Sequence, residues 1–329
     1  MRIIVDAMGG DYAPGEIIKG CINAASTYQG NLKITLVGRK NAIAEELEKQ
    51  GVSDEIFDIV HAEDVIAVDE PPVMAIRRKK DSSMVKGLEL LREDRSSVFV
   101  SAGSTGALMA GGLLKVGRIK GIDRPALAPL IPTRKLPVLL IDAGANADCK
   151  PINLVQFAIM GSVYMEKVVG RTNPRVGLVN IGQEENKGNE LTKEVYSLLK
   201  EQDNINFAGN VEARDIPEGV VDILVCDGFV GNTILKLTEG LALTLFGILK
   251  EEFTKSFVAK IGALLLKPGL INIKNMMDYD EVGGAPLLGI NGGIIKAHGS
   301  SKARAIENAI KQAKLFIENK VLENITANL

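Results

Sequence analysis

Four times along this chain a short apolar run stops at a small, polar, glycine-bearing turn. Ile3-Ile-Val5 runs into Asp6-Ala-Met-Gly-Gly-Asp11, and Val98-Phe-Val100 into Ser101-Ala-Gly-Ser-Thr-Gly106. Val138-Leu-Leu-Ile141 runs into Asp142-Ala-Gly-Ala-Asn146, and Ile223-Leu-Val225 into Cys226-Asp-Gly-Phe-Val-Gly-Asn232. Unbroken aliphatic runs of this length suit strands buried on both faces, as in parallel sheets. Parallel strands need crossovers, usually helices. Amphipathic helical spacing fills the intervals at 15–28, 41–50, 83–93, 154–169 and 191–200, and further strand-like runs lie at 33–37, 56–60 and 175–181. The alternation predicts a three-layer α/β/α fold, a mainly parallel sheet with helices on both faces. In one such sheet the four turns share the edge where ligands bind.

Nothing linker-like or repetitive divides the 329 residues. They are expected to form one catalytic α/β unit spanning 1–329, or two interwoven lobes, with 240–267 as a helical protrusion. Basic and acidic residues number 39 and 41, so the excess of cations that nucleic-acid binding requires is missing. Three scattered cysteines without a C-x-x-C pair and only two histidines support neither a disulfide framework nor a metal centre. No Walker loop or dinucleotide fingerprint occurs, and neither metal nor cofactor is expected. A strand at the start, with no apolar leader, points to the cytoplasm.

Several segments carry candidate chemistry. Gly103, Ser104, Thr105 and Gly106 offer backbone N–H groups and hydroxyls at the start of a helix, an anion-favouring arrangement; Ser104 or Thr105 could equally cap that helix. The loop 182–190 carries Lys187 and ends at Asn189, a good N-cap; it is a second phosphate candidate or a solvated loop. At 295–301, Ser300 or Ser301 suits an N-cap, and His298 suits a proton donor, a phosphate ligand or a structural hydrogen-bonding group. Asp6, Gly9, Gly10 and Asp11 form the first turn. Arg77, Arg78, Lys79 and Lys80 close a helix begun at 70–72, where they answer its dipole or make a docking patch for an acidic partner. In 240–267, Phe253, Phe257, Ile261, Leu264 and Leu265 recur at helical spacing with lysines interleaved, which interrupts any long apolar span. Such a segment lies on a membrane surface or packs in a dimer or core.

Taken together, Asp6-Ala-Met-Gly-Gly-Asp11, Arg77-Arg-Lys-Lys-Asp-Ser-Ser83, Ser101-Ala-Gly-Ser-Thr-Gly-Ala107, 117–126, Asp227-Gly-Phe-Val-Gly-Asn232 and Lys296-Ala-His-Gly-Ser-Ser301 resemble the bacterial phosphate acyltransferases of phospholipid synthesis, the PlsX family. The resemblance runs over essentially the whole chain in the same order. It implies a fold akin to phosphotransacetylases and isocitrate-type dehydrogenases, a homodimer, and peripheral membrane association. It also implies that acyl-acyl carrier protein and inorganic phosphate give acyl phosphate, which a membrane acyltransferase acting on glycerol 3-phosphate then consumes. Ser104 stands where Asn is common in the family, and Tyr12 where His is frequent.

For that reaction Gly103 to Gly106 with Lys187 are expected at the phosphate, with Asn189, Ser300 and Ser301 as further contacts. Asn232 or Asn146 is expected as a donor on the carbonyl side, and His298 at the departing thiol. Asp6, Asp11 and Asp227, with Gly9 and Gly10, are read as organisers of donors, because carboxylates beside phosphate repel it. Arg77 to Lys80 are the expected docking patch for the carrier protein. Two other readings stand beside this one: a metal- and nicotinamide-dependent oxidoreductase of the related dehydrogenase fold, and a non-enzymatic membrane-associated adaptor for the carrier protein.

Overall fold

The computed structural model describes residues 1–28, 30, 32–277 and 283–329. Among the described residues the strands form two sheets rather than the single one expected. The first has the order β3 (Asp58–His61), β2 (Lys33–Gly38), β1 (Arg2–Asp6), β4 (Val98–Ser101), β12 (Gly293–Lys296), β11 (Ala285–Leu288), β5 (Ala126–Leu127). The second has the order β6 (Leu130–Ile131), β7 (Val138–Ile141), β10 (Ile223–Val225), β8 (Arg175–Asn180), β9 (Asn206–Glu212). Most pairs are parallel, as the apolar runs imply; the antiparallel pairs are β5–β11, β11–β12 and β6–β7.

The division into two sheets falls at two short strands. β5 pairs with β11 in the first sheet, and β6 pairs with β7 in the second. Only Ala128 and Pro129 lie between them, and Pro129 lends its carbonyl to Leu140 at 2.9 Å. A two-residue step between sheets leaves no linker to read in sequence. The C-terminal β12 then returns to the first sheet and inserts beside β4, with Lys296 opposite Ser101. The turns after Asp6 and Ser101 therefore edge the first sheet, and those after Asp142 and Cys226 edge the second.

The helices are α1 (Gly15–Thr27), α2 (Lys40–Lys49), α3 (Pro72–Arg78), α4 (Ser83–Glu93), α5 (Thr105–Gly111), α6 (Pro151–Tyr164), α7 (Glu190–Lys200), α8 (Gly228–Thr254), α9 (Phe257–Met277), α10 (Ala303–Glu318) and α11 (Val321–Ala327). The central strands are buried almost throughout, with Ile3, Ile4, Phe99, Leu139 and Ile223 fully covered, while the edge strands β3 and β9 are partly open.

The protrusion is two helices, not one continuous stretch. Ser256 breaks it by accepting the Ala259 N–H at 3.1 Å, which starts α9 afresh. Apolar residues on this hairpin face outward: Phe257 and Leu265 are 79% and 78% exposed, Leu264 and Ile261 are also exposed, and Phe253 is half-buried. By length and composition α8 is the one described helix that could cross a membrane. Its first turn is instead locked against the second sheet, where Gly228 and Gly231 are buried.

Candidate active site

Three strand ends of the first sheet form one cluster. Asp6 ends β1, Ser101 ends β4 and Lys296 ends β12, on adjacent strands. Ser101 Oγ donates to Asp6 Oδ2 at 2.7 Å and accepts the Gly103 N–H at 3.0 Å. The Met8 N–H donates to Asp6 Oδ1 at 3.2 Å, and Ser83 and the Gly9 N–H also bond this carboxylate. Burial raises the Asp6 pKa above its ordinary value, and these donors pull it back. Gly9 is required by close approach: a Cβ there would lie 2.5 Å from Asp6 Oδ2 and 2.7 Å from the Gly103 N. Gly10 has φ +107°, and the Asp11 N–H closes the turn onto Gly299 O at 2.8 Å. Residues 6–11, 101–106 and 296–301 thus form one contiguous wall.

On that wall Ser104 is the N-cap of α5, accepting the Ala107 N–H at 3.4 Å, while Thr105 is exposed. The His298 ring is exposed. The Ser300 N–H donates to its Nδ1 at 3.3 Å, and the Ser300 hydroxyl lies 2.8 Å from the same nitrogen. Accepting at Nδ1 puts the ring proton on Nε2, a donor. The expectation that Ser300 or Ser301 caps α10 is corrected: the N-cap is Lys302, and the Ala303 N–H is taken by Glu16 Oε2 at 2.8 Å. A carboxylate already answers that helix end. Ser301 is 2% exposed, and its hydroxyl has no hydrogen-bond partner among the described residues.

Lys296 is the residue that sequence reasoning missed. It is 8% exposed, and its ammonium donates to Ala102 O at 3.4 Å and to Ala297 O. Desolvation lowers its pKa to about 8; Asp6 and Asp11 oppose the shift, and Lys236 on α8 adds to it. It heads one of the motifs that carry the family resemblance, but as a lysine closing Gly293-Ile-Ile, a short and glycine-flanked strand, nothing marked it as buried.

The second cluster edges the other sheet. Asp142 Oδ1 accepts the N–H groups of Leu127 at 3.0 Å and Ala145 at 2.9 Å, and Oδ2 accepts the Asn146 N–H at 2.7 Å. Its pKa is raised by burial, against these hydrogen bonds. The Asn146 amide donates to Pro125 O at 2.7 Å and to Asp142 Oδ2 at 2.9 Å, so both its hydrogens are engaged in holding the turn. That corrects its reading as a free carbonyl-side donor. Asp227 caps α8 through the Val230 N–H at 2.8 Å. Gly231 lets the helix seat against the turn, since a Cβ there would meet Asp142 O at 1.9 Å. Asn232 then packs beside Gly144, exposed and without a hydrogen-bond partner among the described residues. It lies on α8 rather than in a loop. One helical turn further, Lys236 pairs with Glu239 at 2.8 Å and carries its charge towards Lys296 on the other sheet.

The remaining candidates stand apart from these turns in their contacts. Lys187 is exposed, 3.9 Å from Glu184, and its loop is tied to Asn180 and Asn210 of the second sheet. Asn189 caps α7 through the Thr192 N–H at 2.9 Å. In the basic run Lys79 is internally satisfied, donating to Val65 O at 2.8 Å and Glu70 Oε1 at 2.7 Å, whereas Arg77, Arg78 and Lys80 are exposed. The helix carrying them abuts the Ser104 turn: a Cβ on Gly106 would lie 2.8 Å from the Pro72 ring.

Residues 1–324 match the model of a family described as "Fatty acid synthesis protein". A phosphate acyltransferase of Alkaliphilus oremlandii is 56% identical over 326 residues, covering 99% of this chain and 96% of that protein. One from Thermoanaerobacterium thermosaccharolyticum is 56% identical over 325 residues, with coverage of 99% and 96%. The chain belongs to the phosphate acyltransferase (PlsX) family. Membership makes it an acyltransferase of lipid synthesis. The phosphate acyltransferase fold is shared with a phosphotransacetylase from Streptococcus pyogenes, at TM-score 0.62 and 15% identity over 96% of this chain and 94% of that one. The expected α/β architecture is borne out.

Proposed function

We propose that this chain transfers the acyl group of an acyl-acyl carrier protein to inorganic phosphate, giving acyl phosphate and the free carrier thiol. The observation that carries the reading is the wall built from residues 6–11, 101–106 and 296–301, where a small-residue turn leads into the start of α5 over a buried lysine. Phosphate is anionic and nucleophilic at neutral pH, so no activated side-chain nucleophile is needed. The work of the site is positioning and oxyanion stabilisation.

In this reading phosphate rests on Gly103 to Gly106, with Ser301 of the same wall as a further contact; Lys187 and Asn189, whose loop is tied to the second sheet, are left out of it. A phosphate oxygen attacks the thioester carbonyl, and the free Asn232 amide donates to the oxyanion that forms. Collapse breaks the C–S bond, and the His298 Nε2 proton goes to the departing thiolate. Asp6, Asp11 and Asp227 order donors and take no covalent part. Family membership favours this reading over the dehydrogenase and adaptor alternatives. The whole of 1–329 acts as one catalytic unit in the cytoplasm.

The outward apolar face of the hairpin supports peripheral attachment to a membrane through Phe257, Ile261, Leu264 and Leu265, close to a downstream glycerol-3-phosphate acyltransferase, or burial in a homodimer. Exposed Arg77, Arg78 and Lys80 suit an acidic carrier protein. The direct test supplies acyl-acyl carrier protein with and without phosphate and traps product with hydroxylamine. Phosphate-dependent hydroxamate is expected, and its absence sinks the proposal.

A further inference from the structure

We propose that Lys296 is a positioning residue for phosphate, fixing the Ala102–Gly103 turn from behind and placing a positive charge beneath the bound anion. The inference rests on the reading of Gly103 to Gly106 as the phosphate site. Lys296 stands in register with Ser101 on the adjacent strand, and its ammonium holds the carbonyl of Ala102, the residue just before Gly103. Ser101 holds the Gly103 N–H from the other side. The turn is therefore gripped on both flanks: the Gly103 N–H is spent inward on Ser101, and the N–H groups left for an anion are those of Ser104, Thr105 and Gly106 at the start of α5.

A lysine this deeply buried is normally paired with a carboxylate. Among the described residues Lys296 makes no direct ion pair: its donors go to the two carbonyl oxygens. The charges that act on it are Asp6 from the end of β1, Asp11 from the following turn, and Lys236 from α8. None of them contacts the ammonium, so its charge is not tied up in an ion pair and acts on an anion held by the turn in front of it; loss of the lysine proton removes that attraction. Desolvation places that loss at about pH 8, within an accessible range.

The test is the pH dependence of kcat/KM for phosphate, read as hydroxamate between pH 6.5 and about 10. The wild-type protein is expected to lose activity through an alkaline limb centred near pH 8. Lys236→Met removes a like charge and moves the limb upward; Asp11→Asn removes an opposite charge and moves it downward. Lys296→Arg, which stays charged, loses the limb whatever activity it keeps. Lys296→Met flattens the limb and lowers kcat/KM for phosphate by about 30-fold, the scale of one charge-assisted hydrogen bond, with KM for the acyl carrier held within about 2-fold. A merely structural lysine moves no limb. A limb unmoved by both neighbour substitutions, or retained in Lys296→Met, overturns the inference while leaving acyl transfer intact. Absence of phosphate-dependent hydroxamate from the wild type overturns the acyl-transfer reading, and this inference with it.

Discussion

Ser101 and Asp6, 95 positions apart, meet at 2.7 Å between neighbouring strand ends, and the same serine oxygen holds the Gly103 N–H. The contact welds the first turn of the chain to the turn at 101–106. Neither side chain is accessible to substrate: Asp6 is 2% exposed and Ser101 1%. Their contribution is to fix where the Gly103 N–H points.

Replacing Asp6 by Ala strands the Ser101 and Ser83 hydroxyls and two backbone N–H groups in a buried site. A loss of about 2–4 kcal/mol is expected in urea unfolding. Ser101→Ala removes two bonds, to Asp6 and from Gly103; it is expected to cost about 2 kcal/mol and to raise KM for phosphate about tenfold, because the turn loosens. Unchanged phosphate KM in a folded Ser101→Ala protein refutes the positioning argument.

Lys296 makes stability and activity respond to alkali in opposite directions. Its pKa is about 8 in the folded chain against an ordinary 10.5, so between those values the unfolded state binds the extra proton. Stability therefore rises with pH through that window, by at most about 3 kcal/mol from this group. Urea midpoints at pH 7.5 and 9.5 check the sign: wild type should gain stability relative to Lys296→Met across the window, while the buried thiols, whose pKa values burial raises, lower both proteins alike.

Gly231 seats α8 against the carbonyl of Asp142. Gly231→Ala forces the helix outward, with an expected cost of about 3 kcal/mol and displacement of Asn232 from the Gly144 turn. Acyl transfer should fall by at least about 100-fold, more than the fraction unfolded explains. Thermal unfolding paired with hydroxamate rates separates the two effects.

The basic run divides by contact. Arg77→Glu and Arg78→Glu are expected to raise KM for the acyl carrier about tenfold and leave KM for phosphate alone. Lys79→Ala, which removes contacts to Glu70 and Val65, should instead lower stability by about 1 kcal/mol with little effect on carrier KM. Equal effects from all three contradict the assignment.

Phe257→Glu and Leu264→Glu place charges on the outward face of the hairpin. Co-sedimentation with anionic liposomes should drop several-fold while turnover in solution persists. Unchanged sedimentation, together with a shift from dimer to monomer in size-exclusion chromatography relative to wild type, assigns the face to a second copy of the chain.

Local rules made much of the architecture legible. The four apolar runs became β1, β4, β7 and β10 because aliphatic strands buried on both faces read the same wherever they occur. The N-caps at Ser104 and Asn189 were legible in kind, since a short polar side chain before a helix has few other uses, whereas Asp227, read as an organiser of donors, turned out to cap α8. The short, glycine-flanked β12 carried no such signature, and nothing near Lys302 signals that Glu16, in another helix, caps α10.

By itself the sequence determined that this is a parallel α/β chain with polar glycine turns at its strand ends, and, through the order of its motifs, its family. Those properties depend on residues close together in the chain. Tertiary structure alone decided that the turns divide between two sheets, that β12 returns to lie beside β4, and that Lys296 is buried behind Gly103. Each depends on which distant strand becomes a neighbour, and on burial, which turns an ordinary lysine into one whose proton is lost near pH 8.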